Sequence, residues 1–157
     1  MWRIVPILGL VLSLGCADGP SAPSIPNLGG SWTYSVTNLA APSFYGVCTV
    51  SGTSLSINQS GDTFNGMYAG GTLSCTNGYS APFGSGAVNG WAKSDGWVRF
   101  AFVTSDFGSA FGEWNWSNTG MLSGDSMSGT AGVCCVVIYC EILCSTESLT
   151  ATWAASR

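Results

Sequence analysis

The stretch G-V-C-C-V-V-I-Y-C-E-I-L-C, residues 132–144, places four cysteines within eleven positions, and cysteine is the residue type here best suited to chemistry. Thiols at that density can hold a metal, work as a redox pair or join as disulfides. Histidine is absent from all 157 residues. That removes the usual general base, the usual zinc partner of cysteine, and the nucleophile pairs that depend on an imidazole. Asp62, Asp95 and Asp106 each sit beside Gly or Ser, where a short acid ordinarily bonds its own turn. Carboxylate-pair catalysis needs two acids facing one cleft, and the strand pattern described below aligns none. No catalytic residue and no cofactor are expected.

Which cysteine chemistry applies depends on the compartment. The chain opens with Arg3, an uncharged apolar run of eleven residues from Ile4 to Leu14, and Gly15 before Cys16. This is the pattern of a secretory signal, and the run is shorter than the about 20 residues a spanning helix needs. Leu12-Ser13-Leu14-Gly15-Cys16 resembles a bacterial lipobox, in which the cysteine is acylated and becomes the new N-terminus. It departs from the strict form in that Ser13 precedes Leu14. An ordinary signal peptide is the alternative. The resemblance implies that residues 1–15 are a lipoprotein signal peptide, that Cys16 carries lipid, and that Ala17 in place of Asp directs the protein to an outer membrane, facing the periplasm or the surface.

Export would put Cys48, Cys75, Cys134, Cys135, Cys140 and Cys144 in an oxidising compartment, where an even number of thiols suits disulfides. Zinc sites usually show C-x2-C pairs separated by a dozen or more residues, and this cluster does not match them. Disulfides are expected and no metal, with Cys48 joined to Cys75 and the four late cysteines paired among themselves. The late pairing stays open, although a direct Cys134–Cys135 bond is disfavoured by geometry. Residues 16–29 hold the Cys and a Pro/Ser-rich tether that reaches about 30 Å at roughly 3 Å per residue. Beyond the signal, three basic residues stand against eight acids, a formal charge of −5. Such a surface offers no basic patch for nucleic acid or anionic lipid, so membrane contact is expected through the lipid anchor.

The elements that must position these groups are strands. Trp32, Tyr34 and Val36 alternate with Thr33, Ser35 and Thr37; Leu55 and Ile57 alternate with Ser54, Ser56 and Asn58; Val98, Phe100 and Phe102 alternate with Trp97, Arg99 and Ala101. That period of two marks antiparallel strands with one buried face. Turn chemistry sets the expected register. A two-residue turn at Asp95-Gly96 sets Lys93 opposite Val98 and Trp91 opposite Phe100, with Trp91 inside. A three-residue loop at Asn118-Thr119-Gly120 sets Trp116 opposite Leu122, and the Asp106 loop sets Phe100 opposite Trp114 and Val98 opposite Trp116. A turn at Ser60-Gly61 sets Ile57 opposite Phe64 and Leu55 opposite Gly66. The midpoint of Cys48 and Cys75 lies one position past that turn, so the second strand needs about two extra residues, and Gly70-Gly71 is a natural place for bulges.

Eight strands result, near 30–38, 47–59, 62–75, 84–94, 97–105, 109–117, 121–130 and 147–156. The expected fold is all-β, an eight-stranded antiparallel up-and-down β-barrel over residues 30–157 with a Cys-rich loop at 131–146. A β-sandwich is the alternative. Gly30-Ser31-Trp32 resembles the G-x-W that opens the first strand of lipocalins and related calycins, including avidin-like barrels. Arg157, in phase with Trp153, is similar to the late arginine that closes the barrel floor over the Trp in those families. The helix that follows the eighth strand in lipocalins is missing, and the whole looks like a small bacterial lipoprotein with a calycin-type barrel.

The short turns, the first strand's start and Arg157 fall on one side, the floor. The opposite rim carries the long connections with Phe44, Tyr45, Tyr79, Phe83, Phe107, Ile138 and Tyr139. Inner positions are bulky near the floor (Trp32, Trp91, Val98, Trp116, Trp153). They become small or polar above (Thr53, Ala87, Asn89, Ala110, Gly112, Gly124, Ser126) among Tyr34, Tyr68, Phe102 and Trp114. That gradient describes a cup in which Tyr34, Tyr68, Asn89, Phe102 and Trp114 hold a small apolar or aromatic ligand, in the mouth where barrels favour binding. Its rival is a solid aromatic core carrying a structural module whose rim contacts an envelope protein or a glycan. If Cys16 is the anchor, Cys16→Ser should abolish incorporation of labelled fatty acid and move the protein from the membrane to the soluble fraction, since a chain without lipid has no anchor.

Overall fold

In the computed structural model, which describes residues 24–40, 46–103, 114–135 and 149–157, the chain is all-β. The described residues form nine strands: β1 (Gly30–Ala40), β2 (Val47–Ser60), β3 (Thr63–Cys75), β4 (Ser80–Pro82), β5 (Ser85–Ala92), β6 (Trp97–Val103), β7 (Trp114–Ser123), β8 (Ser126–Cys135) and β9 (Leu149–Ser156). Every pairing is antiparallel. β1, β2, β3, β5, β6, β7, β8 and β9 form a ring in that order, with β9 returning to β1, so the eight-stranded antiparallel barrel is closed. The extra strand β4 lies along the upper part of β3 (Thr72 opposite Pro82). It keeps the register of β5 (Ala69 opposite Ser85), so β4 and β5 are one strand interrupted at Phe83-Gly84.

The alternating positions turn inward as their polarity demands. Trp32, Tyr34, Val36, Leu55, Ile57, Val98, Phe100 and Phe102 are all buried. In β1 the inner phase then slips: Asn38 takes a left-handed φ of 56°, the ladder to β2 shifts, and Leu39 becomes the next inward residue.

Three turns differ from the sequence expectation. The first falls at Gly61-Asp62, between Ser60 and Thr63, so that Gln59 faces Phe64, Ile57 faces Gly66 and Leu55 faces Tyr68. With the turn moved by one residue, Cys48 lies directly opposite Cys75 in unbroken register. The two extra residues are not needed. Gly52 and Gly71, both at positive φ, instead face each other across an unpaired step of the ladder.

The second turn is longer than two residues. The Gly96 amide donates to Lys93 O and the Lys93 amide to Trp97 O, with Gly96 at φ 88°. This is a type I turn closed by a left-handed glycine, a three-residue loop. The single added residue slides β5 by one position. Trp91 faces Arg99, Gly90 faces Phe100 and Ala92 faces Val98, which turns Trp91, Ala87 and Asn89 to the outside of the barrel.

Third, Asn118-Thr119-Gly120 is the middle of β7, and the chain reverses at Gly124-Asp125. Trp116 therefore faces Phe102 and Val133, Asn118 faces Phe100, and Gly120 faces Val98. Gly120 is required where it stands. A Cβ there would lie 2.1 Å from Ser128 O and 2.8 Å from the Trp153 ring. The parity of β7 survives the displacement, so Trp116 remains an inner residue.

At the floor, Leu28 is fully buried beneath β1, and its carbonyl accepts from Trp32 Nε1 at 2.8 Å. Its amide donates to Gln59 Oε1, while Gln59 Nε2 donates to Pro26 O and Gly61 O. The segment before the first strand is thus pinned across the barrel end.

The Cys48–Cys75 disulfide bridges β2 and β3 at a sequence separation of 27. Closing a loop of that length in the unfolded chain is worth about 3–4 kcal/mol in the chain-entropy account. A Cys48→Ala/Cys75→Ala double variant should melt roughly 10 °C lower than wild type under non-reducing conditions, as read by circular dichroism.

Candidate functional site

The upper interior is built by aromatic residues from five strands and one connection. Tyr34 on β1 meets Phe102 on β6 edge to face at 5.0 Å between ring centroids, and Tyr68 on β3 meets Phe102 at 4.5 Å. Trp153 on β9 stacks with Tyr34 at 6.1 Å and meets Phe100 at 5.1 Å. Phe83, from the break between β4 and β5, turns inward and lies 5.7 Å from Tyr68, 6.1 Å from Phe102 and 5.4 Å from Trp116. It is 1% exposed. Expected on the rim, Phe83 is instead part of the core. Its amide is fixed by Gly71 O at 3.0 Å, which holds the break over the barrel and aims the ring down into it.

Inside this apolar set lies a polar cluster. The Tyr34 hydroxyl donates to Asn118 Oδ1 at 2.7 Å, and Trp116 Nε1 donates to the Tyr34 oxygen at 2.9 Å and to Asn118 Oδ1 at 3.2 Å. All three residues are buried. Among the described residues, Asn118 Nδ2 and Thr53 Oγ1 are buried without a hydrogen-bond partner, and such groups cost about 1–3 kcal/mol each unless something meets them. Burial raises the Tyr34 phenol well above the usual tyrosine value, against the smaller opposing effect of the Trp116 hydrogen bond.

Of the residues expected to hold a ligand, Tyr34, Tyr68 and Phe102 come together here. Asn89 does not, because the one-residue slide of β5 places it, exposed, on the outer face opposite Ala101. Gly124 lies in the floor-side turn and Ser126 is exposed. The backbone of Trp114 pairs with Cys135, and that of Cys134 with Asn115. Their side chains, with Cys16, Cys140, Cys144 and the rim residues Phe44, Tyr45, Phe107, Ile138 and Tyr139, lie outside the described residues, as do Ala110 and Gly112. Tyr79 is half-buried beside the disulfide hairpin, where its carbonyl accepts from the Cys75 amide at 2.8 Å. At the other end, the Arg157 guanidinium lies 4.7 Å over the Trp32 ring. It also donates to Asp125 Oδ1 at 2.7 Å and Gly29 O at 3.2 Å.

A second feature lies outside the barrel, where the alternation pattern assigned nothing. On β5, β6 and β7 a depression of about 250 Å³ is lined by Asn89, Trp91, Arg99, Ala101 and Ser117. Trp91 packs against Trp97 at 4.4 Å, with the Lys93 ammonium 5.5 and 5.1 Å from the two rings. With Trp91 read as a core residue the groove has no wall. The sequence signal that could have found it is Ser94 before Asp95-Gly96, which allows the three-residue loop.

Because the folded Tyr34 pKa lies above the unfolded value near 10, its contribution is complete below pH 10 and is lost as pH rises from there towards the folded value. Tyr34→Phe should cost about 1–3 kcal/mol at pH 7, by stripping the cluster of its hydroxyl. It should also flatten the fall of stability between pH 10 and 11.5 relative to wild type in denaturant titrations.

No protein-family model, curated protein or solved structure matches this chain. Its function is therefore to be read from its own side chains.

Proposed function

We propose that this protein is a lipid-anchored, non-enzymatic module of the cell envelope, in which a filled barrel is a rigid scaffold presenting its outer surface and loop rim to another macromolecule. The observation that carries this reading is Phe83, buried against Tyr68, Phe102 and Trp116, where a ligand in the expected cup would lie. Tyr34, Tyr68 and Phe102, the proposed ligand contacts, spend their ring faces and edges on one another. The acidic, Lys-poor composition suits a partner other than nucleic acid, and the anchor at Cys16 would tether the scaffold to the membrane.

A second reading keeps the barrel as the binder of a small apolar or aromatic molecule. It draws on the two orphaned polar atoms, Asn118 Nδ2 and Thr53 Oγ1, which a ligand oxygen or an ordered water would satisfy. Native mass spectrometry of the protein purified from its own cells separates the two. The scaffold reading expects the mass of the chain with its lipid alone, and no saturable change of tryptophan emission with fatty acids, quinones or aromatic metabolites. A retained small molecule, lost on Phe102→Glu and kept on Trp97→Ala, transfers the assignment to the ligand carrier.

A further inference from the structure

The outer face of β5, β6 and β7 places an indole, an amide, a hydroxyl and a guanidinium around a pit. Its base is Ala101. At the same level Asn89 stands opposite Ala101 on β5 and Ser117 opposite it on β7. One pair nearer the floor, Trp91 stands opposite Arg99. A methyl group at the centre of longer neighbours leaves the depression of about 250 Å³, just below the roughly 300 Å³ at which enclosed drug-sized sites begin. It has room for one ring.

What surrounds the pit is uncommitted. Among the described residues, the side chains of Asn89, Arg99 and Ser117 have no hydrogen-bond or ion-pair partner. Arg157 is tied to Asp125, Gly29 and the Trp32 ring, and Lys93 is held over Trp91 and Trp97, whereas Arg99 is a guanidinium with no acid partner among the described residues. The Trp91 ring is fixed by Trp97 and Lys93 on one side and walls the pit on the other.

We infer that this groove binds one residue of an acidic saccharide, a pyranose carrying a ring carboxylate. The inference deepens the reading of the barrel as a presenting scaffold, and rests on it for the identity of the partner as a macromolecule. An indole wall takes the apolar C–H face of a sugar ring out of water. Asn89 and Ser117 supply the donor and acceptor pairs that ring hydroxyls need. Arg99 offers the planar fork that matches a carboxylate in two parallel hydrogen bonds. An acidic peptide fits less well, since strand addition needs a free edge and β5, β6 and β7 are paired on both sides within the ring. A neutral sugar would leave Arg99 without a counter-charge.

The test is calorimetry on the full lipidated protein in neutral detergent, with a galacturonic acid trimer, the free monomer, the neutral galactose trimer and poly-glutamate as probes. The acidic trimer should bind saturably, at least about tenfold more tightly than the neutral trimer, and more weakly as salt is raised. Binding of the trimer at least as tight as that of the monomer supports a polymer as the source, and tighter binding of the monomer supports the free sugar. Arg99→Gln should lower affinity for the acidic trimer by about tenfold or more and leave the neutral trimer unchanged, while Trp91→Ala lowers both. Ala101→Leu, a surface change that fills the pit, should abolish binding with an unaltered melting curve. Absence of binding to either trimer, equal retention of poly-glutamate, or binding that survives Ala101→Leu overturns the inference. The scaffold reading falls separately, on a small molecule retained inside the barrel in native mass spectrometry.

Discussion

A sheet that closes on itself has no free edge, so the register of each strand is fixed by two neighbours at once. In this barrel that constraint governs nearly everything else. β1 must satisfy β2 on one side and β9 on the other, and the inner side chains must then fill one shared volume. Trp32, Trp116, Trp153, Tyr34, Tyr68, Phe83 and Phe102, all essentially inaccessible to solvent, do that filling. Glycine appears where the aromatic rings need the space. A Cβ on Gly90 would lie 2.4 Å from the tip of the Phe64 ring and 2.6 Å from Phe100 Cβ. Large rings and absent side chains are thus two halves of one packing solution.

The polar cluster is the costly part of that solution. Two hydrogen bonds at the Tyr34 oxygen, one donated to Asn118 and one accepted from Trp116, join β1 to β7 across the interior, a tie between strands that are not neighbours in the ring, and a third links Trp116 to Asn118 within β7. An apolar substitute would pack without the desolvation penalty. What the cluster supplies is direction: hydrogen bonds distinguish one arrangement of the rings from its near alternatives, where apolar contacts alone discriminate weakly.

The sequence reveals faces better than it reveals turns. The alternations around Trp32, Leu55 and Val98 were legible because each strand buries one side and wets the other. The barrel followed from the number of such segments and the short connections between them. The reversals were harder to place. Asp95-Gly96 serves a two-residue turn or the end of a three-residue loop equally well, and the difference of one residue moves Trp91 from core to surface. Asn118-Thr119-Gly120 has the composition of a turn, yet Asn118 is spent on Tyr34 and Gly120 makes room for Trp153, partners that lie 84 and 33 positions away in the chain. The inward turn of Phe83 depends on a hydrogen bond to Gly71 from across a strand break, which no local pattern encodes. The outer groove was hidden by the same one-residue error that misplaced Trp91.

The position of β9 has a consequence for how the molecule comes into being. It lies between β1 and β8, pairing with both, so residues 149–156 form the seam at which the earliest strand meets the latest. Until that segment arrives, β1 and β8 each present a raw backbone edge, the kind of surface on which other chains dock and aggregate. Local hairpins such as β2–β3 can form as soon as they emerge, but the closing contacts join residues more than a hundred positions apart and are the slow ones. A ribosome delivering this chain from its N-terminus therefore releases an open, sticky ribbon first. The finished cylinder comes only once residues 149–156 are in place, and a chain cut before them would be marked by its two unpaired edges.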